Sequence, residues 1–214
     1  MKYKAVIFDM DGTILDTLDD LHHAMNHILE QYQMPVITRD QARRYVGNGI
    51  RKLIARAVPE GTSDETIDAM FADFLPYYNA HCKEATKAYD GIVDLLTELK
   101  KRGYHIAVVS NKADTAVGIL AEDYFPGLFE ITVGERPGVK RKPAPDSVNE
   151  VLRILGIESK DAIYVGDSDV DMDTAKNANM DAIGVDWGFR GEEFLRNHGA
   201  STIVYKPEEI LDLV

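Results

Sequence analysis

Short, mostly apolar runs recur along the chain and predict buried β-strands. They are rich in Val and Ile and do not alternate with polar residues, which is typical of parallel strands covered on both faces. The runs are AVIF (5–8), IAVV (106–109), EITV (130–133), AIYV (162–165) and AIGV (182–185), with a shorter one within STIVY (201–205). Helical segments alternate with these runs from about residue 91 onward, so we predict an α/β fold with a parallel sheet.

Residues 17–85 break this alternation. The stretch TLDDLHHAMNHILEQY repeats apolar residues at helical spacing, and Thr38 and Gln41 have the spacing of a capping box. No convincing strand lies in this part of the sequence. We therefore predict a helical domain at 17–85, inserted into an α/β core formed by residues 1–16 and 86–214.

Composition and charge narrow the class of protein. The formal charge of −12 argues against a nucleic-acid-binding surface. It does not exclude a small anionic substrate, since a bound cation reverses the sign locally. The single cysteine, Cys82, fits a reducing compartment, and the first apolar run is too short for a signal peptide. No apolar stretch has membrane-spanning length. We expect a cytoplasmic protein without nucleic-acid or membrane partners.

Carboxylates follow two of the predicted strands. Asp9 and Asp11 come directly after the first run, and the sequence GDSDVD, with Asp167 and Asp171, follows AIYV. Ligands of open α/β sheets bind at the carboxyl ends of strands, where such acids can converge. Helix capping is the alternative, but two acids flanking one residue exceed what capping needs. Oxygen ligands of this kind favour Mg²⁺.

Two further segments place polar groups near predicted strand ends. Ser110 and Asn111 follow IAVV and are small donors suited to a phosphoryl oxygen, although they also suit a turn. Lys142 lies in the basic segment VKRKPAP, before a predicted helix. A solvated charge run is the usual explanation for such a segment. Beside the acids, a lysine that balances a phosphate is an equally good interpretation.

In this order, DMDGT, SN, KP and GDSDVD resemble the four motifs of haloacid dehalogenase superfamily phosphatases. The resemblance covers essentially the whole chain, because the predicted insertion resembles the helical cap between the first and second motifs. It implies a Rossmann-like parallel sheet core with an inserted helical-bundle cap. It also implies a Mg²⁺-dependent hydrolase of phosphate monoesters. An acid at Asp11 separates the chain from the dehalogenase branch, which lacks one there.

The resemblance also implies roles for individual residues. Asp9 is the nucleophile that becomes phosphorylated, and Asp11 is first the general acid and then the general base. Lys142 offsets the repulsion between the nucleophile and the phosphate. The implied metal ligands are Asp9, Asp11 through its backbone carbonyl, and Asp167, with Asp171 in support. The residues expected to hold phosphoryl oxygens are Gly12, Thr13, Ser110 and Asn111.

The insertion is expected to select the substrate. Its segment YVGNGIRKLI, around Gly47, Asn48 and Gly49, resembles the cap loop of phosphoglycolate phosphatases, as does VDWGFRGEEFL near the C-terminus. We expect Gly49 and Arg51 to contact the substrate, with a plain turn between helices as the alternative.

The expected partner is a small phosphorylated metabolite such as 2-phosphoglycolate, bound by a monomer or homodimer. A pyrophosphatase, a sugar-phosphate phosphatase or a phosphoglucomutase of the same superfamily stays open. So does a regulatory binding protein on the same scaffold, because a fold alone does not give a function.

Overall fold

The computed structural model describes residues 2–47 and 49–214, which fall into two compact units. One unit comprises the chain up to Leu15 together with Ala88–Val214, and the other comprises Asp16–Lys87. From the sequence, the boundaries between the two units were expected between residues 16 and 17 and between residues 85 and 86. Within the described residues, no helix has both the length and the apolar character needed to cross a bilayer.

The elements follow one another in the order that the strand and helix patterns predict, with a few additions. In chain order they are β1 (Ala5–Phe8), β2 (Leu15–Asp16), α1 (Leu18–Gln31), α2 (Arg39–Tyr45), α3 (Ile50–Ala57), α4 (Asp64–His81), β3 (Lys87–Ala88), α5 (Ile92–Lys101), β4 (His105–Ala113), α6 (Asp114–Tyr124), β5 (Ile131–Glu135), α7 (Asp146–Leu155), β6 (Ala162–Gly166), α8 (Asp169–Asn177), β7 (Asp181–Val185), α9 (Glu192–Asn197) and β8 (Ile203–Val204). Short 3-10 turns lie at Ser159–Asp161 and Pro207–Asp212.

The larger unit is built on a six-stranded sheet in the order β5-β4-β1-β6-β7-β8, in which neighbouring strands are parallel. Strand β1 lies between β4 and β6, with Phe8 opposite Val108 on one side and Val165 on the other. This order confirms the predicted α/β fold. It also places the C-terminal end of β1 at the middle of the sheet, between the ends of two neighbours.

Both faces of the sheet are covered, which explains why its strands are continuous apolar runs. Val6 and Phe8 of β1 belong to a core with apolar residues of α5 and α6. Ala5 and Ile7 belong to a second core with residues of α7 and α8. Because successive side chains point to opposite faces, a strand between two helix layers needs an apolar residue at every position.

The structure differs from the predicted elements at several places; for example, β5 is Ile131–Glu135 and the predicted run was 130–133. Strand β4 runs past Val109 to Ala113, because its pairing with β5 resumes after a register shift, with Ala113 opposite Glu135. Helix α7 starts at Asp146, after the residues that the KP motif occupies. Helix α9 was not predicted, since its six residues are too few to show a helical period.

The smaller unit consists of α1 to α4 and the segments that join them. Its core is made by apolar residues at helical spacing, among them Leu21, Met25 and Ile28 of α1 and Met70 and Phe74 of α4. The predicted capping box is present, since Thr38 accepts from the Gln41 amide and Gln41 accepts from the Thr38 amide. These features confirm that the insertion is helical.

Candidate active site

The sheet brings the motif residues together at the C-terminal ends of three adjacent strands. Asp9 follows β1, and Asp167 follows β6. Ser110, Asn111 and Lys112 lie in the last part of β4, where the register with β5 shifts. Irregular pairing of this kind, as in a β-bulge, re-aims side chains and is common beside active sites. The strand order therefore produces the convergence that the spacing of the acids predicted.

Three carboxylates form a compact buried cluster. Oxygens of Asp9, Asp167 and Asp171 all lie within 4.8 Å of one another. Asp167 is 1% exposed and Asp171 is not exposed at all. Like charges at this separation repel strongly in a low-dielectric interior, so the cluster requires a compensating cation.

Lys142 supplies part of that compensation through ion pairs with two of the three acids. Its Nζ lies 2.7 Å from Asp171 Oδ1, 2.8 Å from Asp9 Oδ1 and 3.0 Å from the Tyr164 hydroxyl. The Tyr164 hydroxyl in turn donates to the carbonyl of Val109, at 2.8 Å. Two of these contacts, to Asp171 and to the Tyr164 hydroxyl, are hydrogen bonds donated by the ammonium group, and the third is an ion pair with Asp9, so together they fix its position.

The backbone of Lys142 is held as firmly as its side chain. The Lys142 amide donates to Asn111 Oδ1 at 2.8 Å, and Asn111 Nδ2 donates to the Lys142 carbonyl at 3.0 Å. The two hydrogen bonds tie the segment that carries the lysine to the end of β4. Asn111 therefore positions Lys142, a contact that its place in the sequence did not indicate.

Burial and interactions between charges shift the pKa of Asp9, of Asp167 and of Lys142. Burial, with repulsion from Asp171, raises the pKa of Asp9 to about 7, although Lys142 opposes the shift. Burial also raises the pKa of Asp167 well above its usual range, and Asp171 and Asp9 add to the effect. Burial alone would lower the pKa of Lys142, but Asp171 and Asp9 outweigh it and raise that pKa well above its usual value. The lysine stays charged, and the raised pKa values of Asp9 and Asp167 indicate that it does not by itself offset the repulsion among the acids.

The donor set fits a divalent cation. With Asp11 included, four carboxylates face two ammonium groups, Lys142 and Lys112, which leaves a formal charge of −2 when all are ionised. In addition, Asp9 Oδ1 has no hydrogen-bond partner among the described residues, and its contact with Lys142 Nζ at 2.8 Å is an ion pair. A buried oxygen without a hydrogen bond is a candidate metal ligand.

Asp167 packs against two backbone positions, Gly12 and Gly188, where a side chain would collide with it. A Cβ on Gly12 would lie 2.4 Å from Asp167 Oδ2, and a Cβ on Gly188 would lie 2.2 Å from Asp167 Cβ. The amide of Phe189 donates to Asp167 Oδ2 at 2.7 Å, and the Thr13 hydroxyl lies 3.4 Å from Asp167 Oδ1. The segment with Gly188 and Phe189 thus takes part in the site, although sequence analysis gave it no role there.

Asp11 is paired with a second lysine, which sequence analysis missed. Lys112 Nζ lies 3.0 Å from Asp11 Oδ1 and 3.3 Å from Asp11 Oδ2. The Lys112 side chain is 7% exposed and that of Asp11 is 19% exposed. The signal for Lys112 was its place directly after the SN motif, at the end of a strand that bears two other candidate residues.

Comparisons with known proteins agree with this geometry. Residues 6–185 match a family model described as haloacid dehalogenase-like hydrolase. The chain belongs to this family. It is 31% identical to phosphoglycolate phosphatase 1 of Pseudomonas aeruginosa, over 98% of this chain and 76% of that protein. It is also 29% identical to the N-acetylmuramic acid 6-phosphate phosphatase of the same organism, over 100% of this chain and 96% of that protein.

A solved structure extends the likeness to the whole fold. It is described as a candidate phosphoglycolate phosphatase from Lactobacillus delbrueckii subsp. bulgaricus, and it is 39% identical with a TM-score of 0.94, covering 100% of this chain and 98% of the other. The chain is therefore an enzyme, a phosphatase of the haloacid dehalogenase-like family. Phosphatases of this family generally use a metal ion, and the buried acidic cluster is the place where this one can hold it.

All four residues expected to hold phosphoryl oxygens make hydrogen bonds within the protein, and those of Asn111 are to the backbone of Lys142. The Gly12 amide donates to the Leu15 carbonyl at 2.8 Å, and the Thr13 amide donates weakly to the Met10 carbonyl at 3.3 Å. Ser110 is buried, and its Oγ accepts from the Lys112 amide at 3.3 Å. A phosphoryl group would have to share or replace these bonds, and the phosphate-binding role of these residues stays a prediction.

The substrate-binding residues expected in the helical unit lie around the start of α3. Gly49 precedes this helix with a φ of 84°, a conformation that favours glycine. Arg51 donates to Asp68 at 2.6 Å and to Asp64 at 2.8 Å, both on α4. Asn48 of the same loop lies outside the described residues. The expected contact of Gly49 and Arg51 with substrate also stays a prediction.

Proposed function

We propose that the protein is a Mg²⁺-dependent phosphomonoester hydrolase that acts through an aspartyl-phosphate at Asp9, on a small ester such as 2-phosphoglycolate. One observation carries the proposal. Asp9 is buried beside Lys142 and two further carboxylates, with an oxygen that makes no hydrogen bond to the described residues. A carboxylate that serves only stability has no reason to be left in this state.

In the first half of the reaction, an Asp9 oxygen attacks phosphorus and the bond to the leaving oxygen breaks. Asp11 gives its proton to that oxygen, so the alcohol leaves neutral. Lys142 beside Asp9 offsets the repulsion between the carboxylate and the incoming phosphate dianion. The products of this half-reaction are the free alcohol and an acyl phosphate on Asp9.

In the second half, Asp11 takes a proton from water as the water attacks the phosphorus of the acyl phosphate. The bond to the Asp9 oxygen breaks, inorganic phosphate forms and Asp9 is regenerated. Microscopic reversibility requires the same residue to give the first proton and take the second. The position of Asp11, with an exposed fraction of 19% in its side chain, allows water to reach it.

The metal ion belongs to the same proposal. Asp9, Asp167 and the backbone carbonyl of Asp11 would hold Mg²⁺, which neutralises charge on the phosphoryl oxygens. Asp171 supports the ion indirectly, since Lys142 occupies one of its oxygens and Ser168 donates twice to the other. We propose that residues 17–85 act as a substrate-selecting cap, with Gly49 and Arg51 as contact residues.

A panel of phosphate esters tests the proposal. We expect phosphate release to require Mg²⁺, to stop with a chelator, to return when Mg²⁺ is added and to be weak with Ca²⁺, whose coordination geometry is looser. Borohydride reduction during turnover converts an acyl phosphate to homoserine, which mass spectrometry would locate at position 9. Full activity in metal-free protein, or no homoserine at that position, contradicts the mechanism.

The same panel decides the substrate class. The resemblance to phosphoglycolate phosphatases favours 2-phosphoglycolate, and the relative that acts on N-acetylmuramic acid 6-phosphate favours a sugar phosphate as the second candidate. The panel therefore includes both, with pyrophosphate and glucose phosphates. A preference of at least tenfold in kcat/KM for one class identifies it.

A further inference from the structure

We propose that Lys112 is a positioning residue that holds the carboxyl group of Asp11 in line for transfer of its proton to the leaving group. The inference rests on the proposed function, because it takes Asp11 to be the general acid. It goes further in assigning a role to a lysine outside the four motifs. Its basis is the contact of one buried ammonium group with both oxygens of Asp11.

The first step of the argument is that the backbone around Asp11 is already fixed. The Ile14 and Leu15 amides both donate to the Met10 carbonyl at 3.0 Å, and the Gly12 amide donates back to Leu15 at 2.8 Å. These bonds close a tight turn between β1 and β2. What remains variable is the direction of the Asp11 side chain, which is set by two rotatable bonds.

The second step is that the Asp11 carboxylate would not hold its position unaided. It lies two residues after Asp9 at the same strand end, so the two carboxylates, when ionised, repel each other. That repulsion drives the Asp11 side chain outward, toward water. An ammonium group at 3.0 and 3.3 Å from its two oxygens opposes this and also defines the plane of the carboxylate.

The third step is that Lys112 is itself held in place. It lies where the pairing of β4 with β5 shifts, between Val109 and Ala113, and its amide donates to Ser110 Oγ. Its side chain is nearly buried, so water screens the ion pair little. Lys142 forms ion pairs with Asp9 and Asp171, whereas Lys112 forms one with Asp11.

A substitution that removes the charge and keeps the length of the chain tests the inference. We expect Lys112→Met to lower kcat/KM for phenyl phosphate about 10- to 100-fold, part of the ~10²- to 10⁴-fold that a general acid contributes. For 4-nitrophenyl phosphate, which has the same ring but a leaving group that needs no proton, the change should stay within about threefold. Lys112→Arg should restore much of the lost rate. The matched control is Lys160→Met, which removes an exposed lysine 2.7 Å from Glu158.

A double-mutant cycle separates positioning from a direct effect on phosphate. If Lys112 acts through Asp11, adding Lys112→Met to Asp11→Asn should change kcat/KM for phenyl phosphate by less than about threefold. Equal losses on the two esters, or a full further loss in the Asp11→Asn background, overturn the inference while leaving the proposed function intact. Absence of turnover by the unsubstituted protein overturns both. Thermal midpoints check folding, and Lys112→Gln replaces the Met variant if that one does not fold.

Discussion

Lys142 and Arg51 each pair with two aspartates, but in opposite surroundings. Lys142 is 3% exposed in its side chain, and its partners Asp9 and Asp171 are 11% and 0% exposed. Arg51 is 43% exposed, and its partners Asp64 and Asp68 are 80% and 62% exposed. The distances are nearly the same, between 2.6 and 2.8 Å, so the geometry of the pairs alone does not distinguish them.

The difference lies in what the surroundings do to the charges. Around Lys142, loss of water and repulsion between acids raise the pKa of Asp9 to about 7, so the group is poised between its two charge states. Around Arg51, water screens the pairs, and such surface pairs usually contribute little to stability. Burial, more than the count of ion pairs, marks the site where charge is used for chemistry.

The largest effect on activity should come from substituting Asp9, one of the two acid partners of Lys142. Asp9→Asn keeps the shape of the side chain but removes its nucleophilicity, and we expect kcat to fall at least ~1,000-fold. Asp64→Asn, at the exposed pair, is the matched control and should leave kcat unchanged. Because one of three repelling carboxylates becomes neutral, the thermal midpoint of Asp9→Asn should not fall. Turnover near the unsubstituted rate by Asp9→Asn would end the covalent mechanism.

Removing the two cations compares the pairs directly. Lys142→Met leaves two buried acids without their counter-ion, and we expect it to lower the free energy of unfolding of the metal-free protein by about 3–5 kcal/mol. Activity should fall about 100-fold or more. Arg51→Met should hardly move the thermal midpoint. Equal shifts in denaturant unfolding of the two variants would mean that burial does not separate these pairs.

The pH dependence of stability should distinguish the buried cluster as well. Between about pH 4 and 7, folded Asp9 keeps a proton that the unfolded chain has lost, so the metal-free protein should lose stability as the pH rises through this window. The raised pKa of Lys142 adds no opposing slope there, since this lysine is protonated in both states. Thermal melts with a chelator should show the decline, and saturating Mg²⁺ should remove it. A flat or rising profile in chelator contradicts the raised pKa of Asp9.

Much of the fold and the centre of the site could be predicted because they depend on short, local patterns. Continuous apolar runs indicated strands buried on both faces, and the sheet has them at the predicted places. Asp9 and Asp167 were recognisable because each follows such a run directly. Parallel strands bring their ends together, so local spacing was enough to predict that these acids meet.

The remaining contacts could not be predicted because they depend on irregular backbone or on backbone groups. Lys112 reaches Asp11 only because β4 continues past Val109 through a register shift. The bond from the Phe189 amide to Asp167 joins residues 22 positions apart and involves no side chain of Phe189. A motif shows which side chains bear chemistry, but it does not show which amides and second lysines hold them in position.

The smallest effect should come from Arg51, and it tests whether the exposed pair has a function at all. If Arg51 binds the carboxylate of the substrate, Arg51→Ala should lower kcat/KM for 2-phosphoglycolate ~10- to 100-fold, the contribution of one charged hydrogen bond. Phenyl phosphate, which has no carboxylate, should be nearly unaffected, and Asp68→Asn should help by freeing the arginine. Binding substrate requires Arg51 to exchange Asp64 or Asp68 for the carboxylate, which an exposed, screened pair permits far more readily than a buried one. Equal losses on both esters would assign Arg51 to the fold or to the phosphate, and unchanged kinetics would leave its loop a simple turn before α3.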